Sequence, residues 1–339
     1  MRRAAPGMLG HTVTCGRALV EFQAVNVQTD MALEARELVR GGAGREIPGV
    51  RVREDRRDGM VLTRVHVASD EASRLMAKPV GHYITLDVPR FKERDSELRG
   101  RVTEAMAEVL GPLLARPLGE HVLVVGLGNW NATPDALGPR VVDRLLVTRH
   151  LETVVPADMR GRMRRVSAVA PGVLGTTGIE TVDIIRGIVR EAKPDRVVAV
   201  DALAARSPSR LLASLQVADT GIHPGSGVGN RRAGITEETV GVPVVAIGVP
   251  TVVLAAGMVW EVVRRLASTL KDDAAFHRAI AELEQEDQRR LVDEVMGPEL
   301  GGLMVTPKEI DVLVDDMADV LSDALNRALQ PDLDRDEWA

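Results

Sequence analysis

Cys15 is the only cysteine in the 339 residues. That excludes an internal disulfide and any zinc or iron–sulfur centre built on several thiolates, and it fits a reducing cytoplasm. Aromatic side chains are almost as scarce, at 2%. The core must be made from Val, Leu, Ala, Ile and Met, and platforms for stacking single-stranded nucleic acid are missing. The net charge of −6 argues further against a nucleic-acid partner. His11, His66, His82, His121, His150, His223 and His277 form no HxH or HxxxH pair. No local spacing therefore demands a metal, although Asp135, Asp201 and His223 could converge as ligands. Neither a metal nor another cofactor is expected.

Long uncharged runs are also rare. The exception, Thr239 to Trp260, contains Pro243 and Pro250, which split it into a buried strand and a helix start rather than a membrane span. No membrane partner is expected. The basic start, Met1 to Gly7, has no apolar stretch behind it, so no signal peptide is expected. The first 20 residues hold three arginines, no acid, and Gly7, Gly10 and Gly16, the composition of a loosely structured arm.

Apolar residues at 45% and charged residues at 27% belong to a globular chain with a sizeable core. Thr29-Asp30 can cap a short helix through Arg40, ended by Gly41-Gly42. Val50 and Val52, a polar turn at Arg56-Arg57-Asp58-Gly59, then Leu62, Val65 and Val67 predict an antiparallel hairpin, with Tyr83–Leu86 as a further strand. From about residue 100, Val-rich strands at Val122–Leu127, Val166–Val169, Val197–Val200 and Val244–Ile247 alternate with helical patterns. One helix is expected over Gly178–Lys193, with Thr177 as N-cap, Glu180 as its partner, and Ile179, Val182, Ile185 and Val189 on one face. A last helix is expected from Thr306-Pro307-Lys308-Glu309, burying Ile310, Leu313, Val314, Met317, Leu321 and Leu325. The expected fold class is α/β: a mostly parallel sheet covered by helices on both faces, with an N-terminal antiparallel addition and a C-terminal helical extension. Its expected organisation is an arm over 1–30 and one body over 31–339, comprising a β-rich addition (31–95), an α/β core (100–270) and a helical tail (271–339).

Ligands of open parallel sheets bind beyond the strands' carboxyl ends. Two expected loops there are Gly126 to Pro139 and Asp201 to Arg206. Gly126-x-Gly128 lacks the third glycine of a dinucleotide fingerprint, and no phosphate-binding P-loop motif occurs. If the two strands are parallel neighbours, Asp135 and Asp201 can meet over one edge and share a proton, one activating water and the other acting as acid. A helix beginning at Pro139 would favour ionised Asp135 as base, and the apolar Ala202–Ala205 stretch would raise Asp201 as acid. The alternative is that each Asp merely caps a helix. In Asp219–Asn230, glycines permit a backbone nest for an anion or oxyanion, or simply a surface loop. Pro224 stands where a Ser226 nucleophile elbow needs glycine, so a Ser–His hydrolase is poorly supported.

Longer runs carry a resemblance. LVVGLGN (123–129), TPDALGP (133–139), LVTRHL (146–151), VSAVAPGV (166–173), GIET (178–181), DALAAR (201–206), Asp219–Asn230, Pro243–Val253 and LMVTPKE (303–309) resemble the germination protease of endospore-forming bacteria, in order and across Val27 to Leu329. The resemblance implies an atypical aspartic endopeptidase similar in fold to hydrogenase-maturation endopeptidases. It implies a cytoplasmic enzyme of forespore and spore core, a homotetramer, degrading small acid-soluble spore proteins at germination. By its motifs the catalytic carboxylates are Asp135 and Asp201. Asn129, Arg206, His223, Gly225, Gly227 and Asn230 are candidates for holding substrate or oxyanion. The resemblance also implies a zymogen cut within Thr29-Asp30-Met31-Ala32, at Asp30–Met31, a sequence that mimics the Thr-Glu-apolar-Ala stretch of the substrates. The basic arm would then be a propeptide that blocks the cleft or holds the Asp pair out of register. Departures are Leu254 where an acid is expected, a shorter stretch between Leu270 and Gln285, and a longer arm. Two rivals are a metal-binding maturation endopeptidase of the same fold and a non-catalytic protein docking through its C-terminal helix.

Overall fold

The computed structural model describes residues 29–40, 46–114, 120–156, 159, 162–225, 232–259, 261–262 and 303–333. Most of the expected arm, the 270–285 stretch, Gly227 and Asn230 lie outside the described residues.

Among the described residues a nine-stranded sheet forms the frame. Its strands are β1 (Val50–Arg57), β2 (Met60–Val67), β3 (Gly81–Asp87), β4 (His121–Gly126), β5 (Arg165–Val169), β6 (Arg196–Ala205), β7 (Ser214–Ala218), β8 (Val244–Leu254) and β9 (Met304–Val305), in the order β1-β2-β3-β7-β8-β6-β4-β5 with β9 beside β8. β5, β4, β6 and β8 are mutually parallel. β1, β2, β3 and β7 run antiparallel, and β7 joins β8. The fold class is α/β as expected, and the antiparallel addition is continuous with the parallel core. The joint is β7, whose polar–apolar alternation, SLQVA, lasts only five residues.

Cross-strand partners point to the same face. On one face Val122 and Val124 of β4, Val198 and Val200 of β6, and Val245 and Ile247 of β8 pack under α3 (Ser96–Leu114), α4 (Leu137–Asp143) and the C-terminal α6 (Ile310–Leu329). Asp316 of α6 is buried and holds Arg94 and Arg99, each at 2.6 Å. The opposite face carries two separate covers. α5 (Thr181–Ala192) lies over Leu123, Val125, Val197 and Ala199 through Val182, Ile185 and Val189. α1 (Ala32–Arg40) and α2 (Asp70–Met76) lie over Val65, Val67, Tyr83 and Ala218. Between these covers the sheet presents Ala246 and Gly248 of β8, paired with Ala218 and Gln216 of β7. These residues floor a cleft.

Several boundaries differ from the expected ones. α5 starts at Thr181, because Thr177 closes a separate helical turn over Leu174–Thr177 that Gly178 ends at φ 71°. Ile179 is consequently exposed rather than part of the buried face. α6 starts at Ile310, because the Thr306 hydroxyl donates to the Thr251 carbonyl at 2.8 Å instead of capping the helix. Asp201 does not open a loop: β6 continues through it to Ala205. The uncharged run past Thr239 supplies β8, with Pro250 at a register shift against Leu203 and Ala204. Among the described residues no helix is long and apolar enough to cross a membrane.

Candidate active site

β4 ends at Gly126, paired with Val200 of β6, and the Leu127 N–H donates to the Val200 carbonyl at 2.8 Å. The chain then turns through Asn129–Ala132 into a 3-10 turn, Thr133–Asp135, and enters α4 at Leu137, two residues before Pro139. Space is the reason for the glycines here. A Cβ on Gly138 would lie 2.3 Å from the Leu127 carbonyl oxygen and 2.6 Å from that of Val200. Only a glycine lets α4 press directly on the backbone of the strand ends. This contact sets the Asp135 loop against β6. The Asn129 N–H donates to both the Asp135 carbonyl (3.0 Å) and its Oδ2 (2.8 Å).

Asp201 is only 5% exposed, and its Oδ1 accepts from the Ala202 N–H at 2.9 Å. Burial pushes its carboxyl well above the usual carboxylate range, and the charges of Asp135 and then Asp30 push it further the same way. Burial also raises Asp135, while the Asn129 N–H acts to lower it. A helix terminus that depresses Asp135 was the expectation. The direction in the fold is the reverse, because desolvation outweighs the hydrogen bond.

The third carboxylate arrives by way of an uncovered strand edge. The last β4–β6 pair is Gly126 with Val200, so among the described residues no strand covers that edge of β6 from Asp201 onward. Asp30 docks there: its N–H donates to the Ala204 carbonyl at 3.1 Å, and its Oδ2 accepts from the Ala204 N–H at 2.9 Å. Glu34, 2% exposed, anchors the same segment. It accepts from the Thr29 hydroxyl (2.5 Å) and from the N–H groups of Arg206 (2.8 Å) and Ser207 (3.0 Å). Met31 and Ala32 are fully buried.

Beside Asp30 opens a cavity of about 720 Å³, lined among others by Lys78, Tyr83, Leu203, Gln216, His223 and Gly248. Lys78 Nζ donates to the carbonyls of Thr29 (3.1 Å) and Asp30 (3.0 Å), and Gln216 Nε2 donates to the Asp30 carbonyl (3.2 Å). Burial lowers the Lys78 ammonium, opposed by Asp30 and Glu34. His223 is lowered by burial and by Lys78, and raised by Asp30.

Of the residues singled out from sequence, Asp30, Asp135, Asp201 and His223 are gathered in this region. Asn129 acts on Asp135 through its backbone. Arg206 lies at the end of β6, where its N–H serves Glu34. Gly225 sits in a turn at φ 73°. Lys78, Gln216 and Glu34 had no motif to mark them. One available signal was the polar–apolar alternation of β7, SLQVA, which sets Gln216 on the face opposite Leu215 and Val217. Among the described residues no cluster of three or more His, Cys, Asp or Glu side chains is gathered as for a metal ion.

Comparison with known proteins adds a second kind of observation. The profile described as germination protease matches residues 24–270 and 268–339. The chain belongs to the germination protease family, a family of peptide hydrolases. It is 47% identical to the germination protease of Caldanaerobacter subterraneus subsp. tengcongensis over 92% of this chain and 97% of that one. Identity to the germination protease of Clostridium tetani is 41%, over 92% and 98% of the two chains. Identity to that of Bacillus velezensis is also 41%, over 91% and 95%. Among solved structures, a NiFe hydrogenase maturation protease from Thermococcus kodakarensis KOD1 is similar at a TM-score of 0.32 and 18% identity, covering 64% of this chain and 98% of that one.

Proposed function

We propose that the chain is an endopeptidase of spore germination in which Asp135 and Asp201 activate water and protonate the scissile amide. We propose further that it is made as a precursor cut at Asp30–Met31, and that its substrates are small acid-soluble spore proteins. The observation that carries this reading is the position of Asp201: nearly buried, and raised by the charges of both Asp135 and Asp30. Asp30 directly precedes the bond that the family likeness marks for cleavage. Its docking on the uncovered edge of β6 is how an extended peptide adds to a sheet.

In this mechanism Asp135, held by the Asn129 N–H, is the base and Asp201 the acid. Water attacks the carbonyl carbon of the acidic residue before the bond, and its proton passes to Asp135. Asp201 then protonates the departing nitrogen. Because the Thr29–Ala32 segment occupies the place an incoming substrate would take, the intact arm blocks the cleft until it is cut.

The deciding experiment offers the purified protein a peptide containing Thr-Glu-Ile-Ala, with wild type beside Asp135→Asn and Asp201→Asn. Both variants are expected to lose at least about a thousandfold in turnover. Turnover of the wild type should follow a bell in pH, falling on the acid side as Asp135 gains a proton and on the alkaline side as Asp201 loses one. Undiminished cleavage by either variant would remove the pair from the mechanism.

A further inference from the structure

Lys78 and Gln216 come from different parts of the fold, yet both donate to the same carbonyl oxygen, that of Asp30. Lys78 follows α2, whose last turn closes on Ala77 in the left-handed region at φ 49°. Gln216 stands in β7 opposite Gly248 and Thr85, on the face that floors the cleft. The glutamine also reaches across the next peptide: its Oε1 accepts from the Ala32 N–H at 2.7 Å. One side chain thus grips the carbonyl before the Asp30–Met31 bond and the first N–H after Met31.

We propose that Lys78 and Gln216 form the oxyanion site, receiving the carbonyl oxygen of the bond being cut and holding it while negative charge gathers there. The inference rests on the reading of Asp30–Met31 as that bond. A tetrahedral oxyanion needs donors fixed in place before charge develops, in surroundings that exclude water. Lys78 meets the first condition: part-buried, its Nζ is held by the carbonyls of Thr29 and Asp30, and burial works against its charge while Asp30 and Glu34 favour it. An ammonium in such surroundings gains most from a nearby developing anion.

The step balances as ordinary hydrolysis. The water oxygen bonds to the Asp30 carbonyl carbon, its proton goes to Asp135, and the carbonyl electron pair moves onto the oxygen facing Lys78 and Gln216. The pair returns, the carbon–nitrogen bond breaks, and the Met31 nitrogen takes the proton of Asp201. Transfer from Asp135 to Asp201 restores the starting state. The same two donors serve any substrate laid along β6 in the same register.

The test uses the full chain and follows release of the new Met31 terminus by mass spectrometry, with melting temperature as the check on folding. Lys78→Met is expected to slow self-processing about a hundredfold or more, the loss seen on removing one oxyanion donor. Lys78→Arg, which keeps a charged donor, should recover at least a tenth of the wild-type rate. Gln216→Leu should slow processing at least about tenfold. A second readout separates this role from mere anchoring of the arm. Lys78→Met protein, trimmed in trans by tagged wild-type enzyme that is then withdrawn, should show its loss in kcat on the Thr-Glu-Ile-Ala peptide. A loss confined to KM would overturn the inference. Processing of Lys78→Met within threefold of wild type, while Asp201→Asn is dead, overturns the inference alone. Processing by Asp201→Asn at the wild-type rate overturns the underlying carboxylate reading instead. Should Lys78→Met fail to fold, Gln216→Leu decides: slowed processing supports the site, and an unchanged rate overturns it.

Discussion

Strands β4, β6 and β8 are rich in valine and buried on both faces, whereas β1 is almost wholly exposed and reads VRVREDRR. The contrast follows from position. A central parallel strand is covered by helices above and below, so it has no side on which to place charge. An edge strand leaves unpaired backbone groups facing solvent, and charge along it discourages pairing with another chain. The two halves also give the site different things. In the proposed mechanism the parallel half supplies the acids, Asp135 in the loop after β4 and Asp201 within β6. The antiparallel half supplies the donors, Lys78 after α2 and Gln216 in β7. The cleft lies where the halves join, so the machinery proposed here is complete only when β7 pairs with β8.

The largest expected effect falls on the parallel half. Asp201→Asn should abolish turnover by at least about a thousandfold and yet make the protein more stable near neutral pH. The sign follows from linkage. Asp201 is raised in the fold, so between its unfolded and folded values the native state holds the extra proton and stability falls as pH rises. Asparagine has no charge to bury. The gain should be on the order of a few degrees in melting temperature near pH 7 and should vanish below about pH 4, where the unfolded carboxyl is also protonated. Melting curves of the two proteins across pH check this. A variant less stable than wild type at pH 7 would contradict the assigned direction.

The next effect severs the link between the halves. Glu34 ties α1 to the end of β6 through two backbone N–H groups and the Thr29 hydroxyl, with Arg210 at 3.4 Å. Glu34→Ala leaves those buried donors without their acceptor, at a cost of about 3 kcal/mol. Arg210 keeps Asp87 and Glu37, which limits the damage to the α1 side. Hydrogen exchange should show the α1 amides losing protection well before those of β4 and β6.

How much of this could be read from residues alone follows the same division. The parallel strands stood out because burial on both faces forces continuous apolar runs. The stripe Val182, Ile185 and Val189 stood out because helical spacing repeats. Asp135 and Asp201 drew attention as polar residues beside Val-rich runs, although Asp201 lies within β6 and not at its end. β7 did not: its polar–apolar alternation, SLQVA, lasts only five residues, too brief a stretch to stand out from its surroundings. Lys78 and Gln216 did not either, since what brings them together is the order of strands, a property of pairings between distant segments. The helix starts at Thr177 and Thr306 were displaced because the Thr177 hydroxyl bonds the Val173 and Ile179 carbonyls around its own separate turn, and the Thr306 hydroxyl bonds the Thr251 carbonyl. Local capping rules carry no information about such partners.

Glycines sharpen the comparison, because the two halves use them for different reasons. Gly138 meets the backbone of both neighbouring strand ends, and backbone cannot yield as a flexible side chain would. Gly138→Ala should cost about 3 kcal/mol and, by lifting α4 and the Asp135 loop from β6, should lower turnover beyond what the loss of folded protein explains. Assays under conditions where the variant remains folded separate the two losses.

The smallest expected effect lies at the far end of the antiparallel half. The β1–β2 hairpin turns on Asp58 and Gly59, with φ 53° and 77°, the two left-handed residues of the turn that matches the twist of a hairpin. A Cβ on Gly59 would meet nothing within 4 Å. Crowding is therefore no obstacle to Gly59→Ala, and the whole cost is that of holding alanine in the left-handed region, about 1 kcal/mol. Peptide turnover should stay at the wild-type level, since the turn adjoins none of the cleft residues. Denaturant unfolding beside Gly138→Ala gives the comparison its cleanest form. Equal costs at the two positions would mean that backbone conformation, and not the close approach of α4 to the strand ends, is what glycine provides at 138.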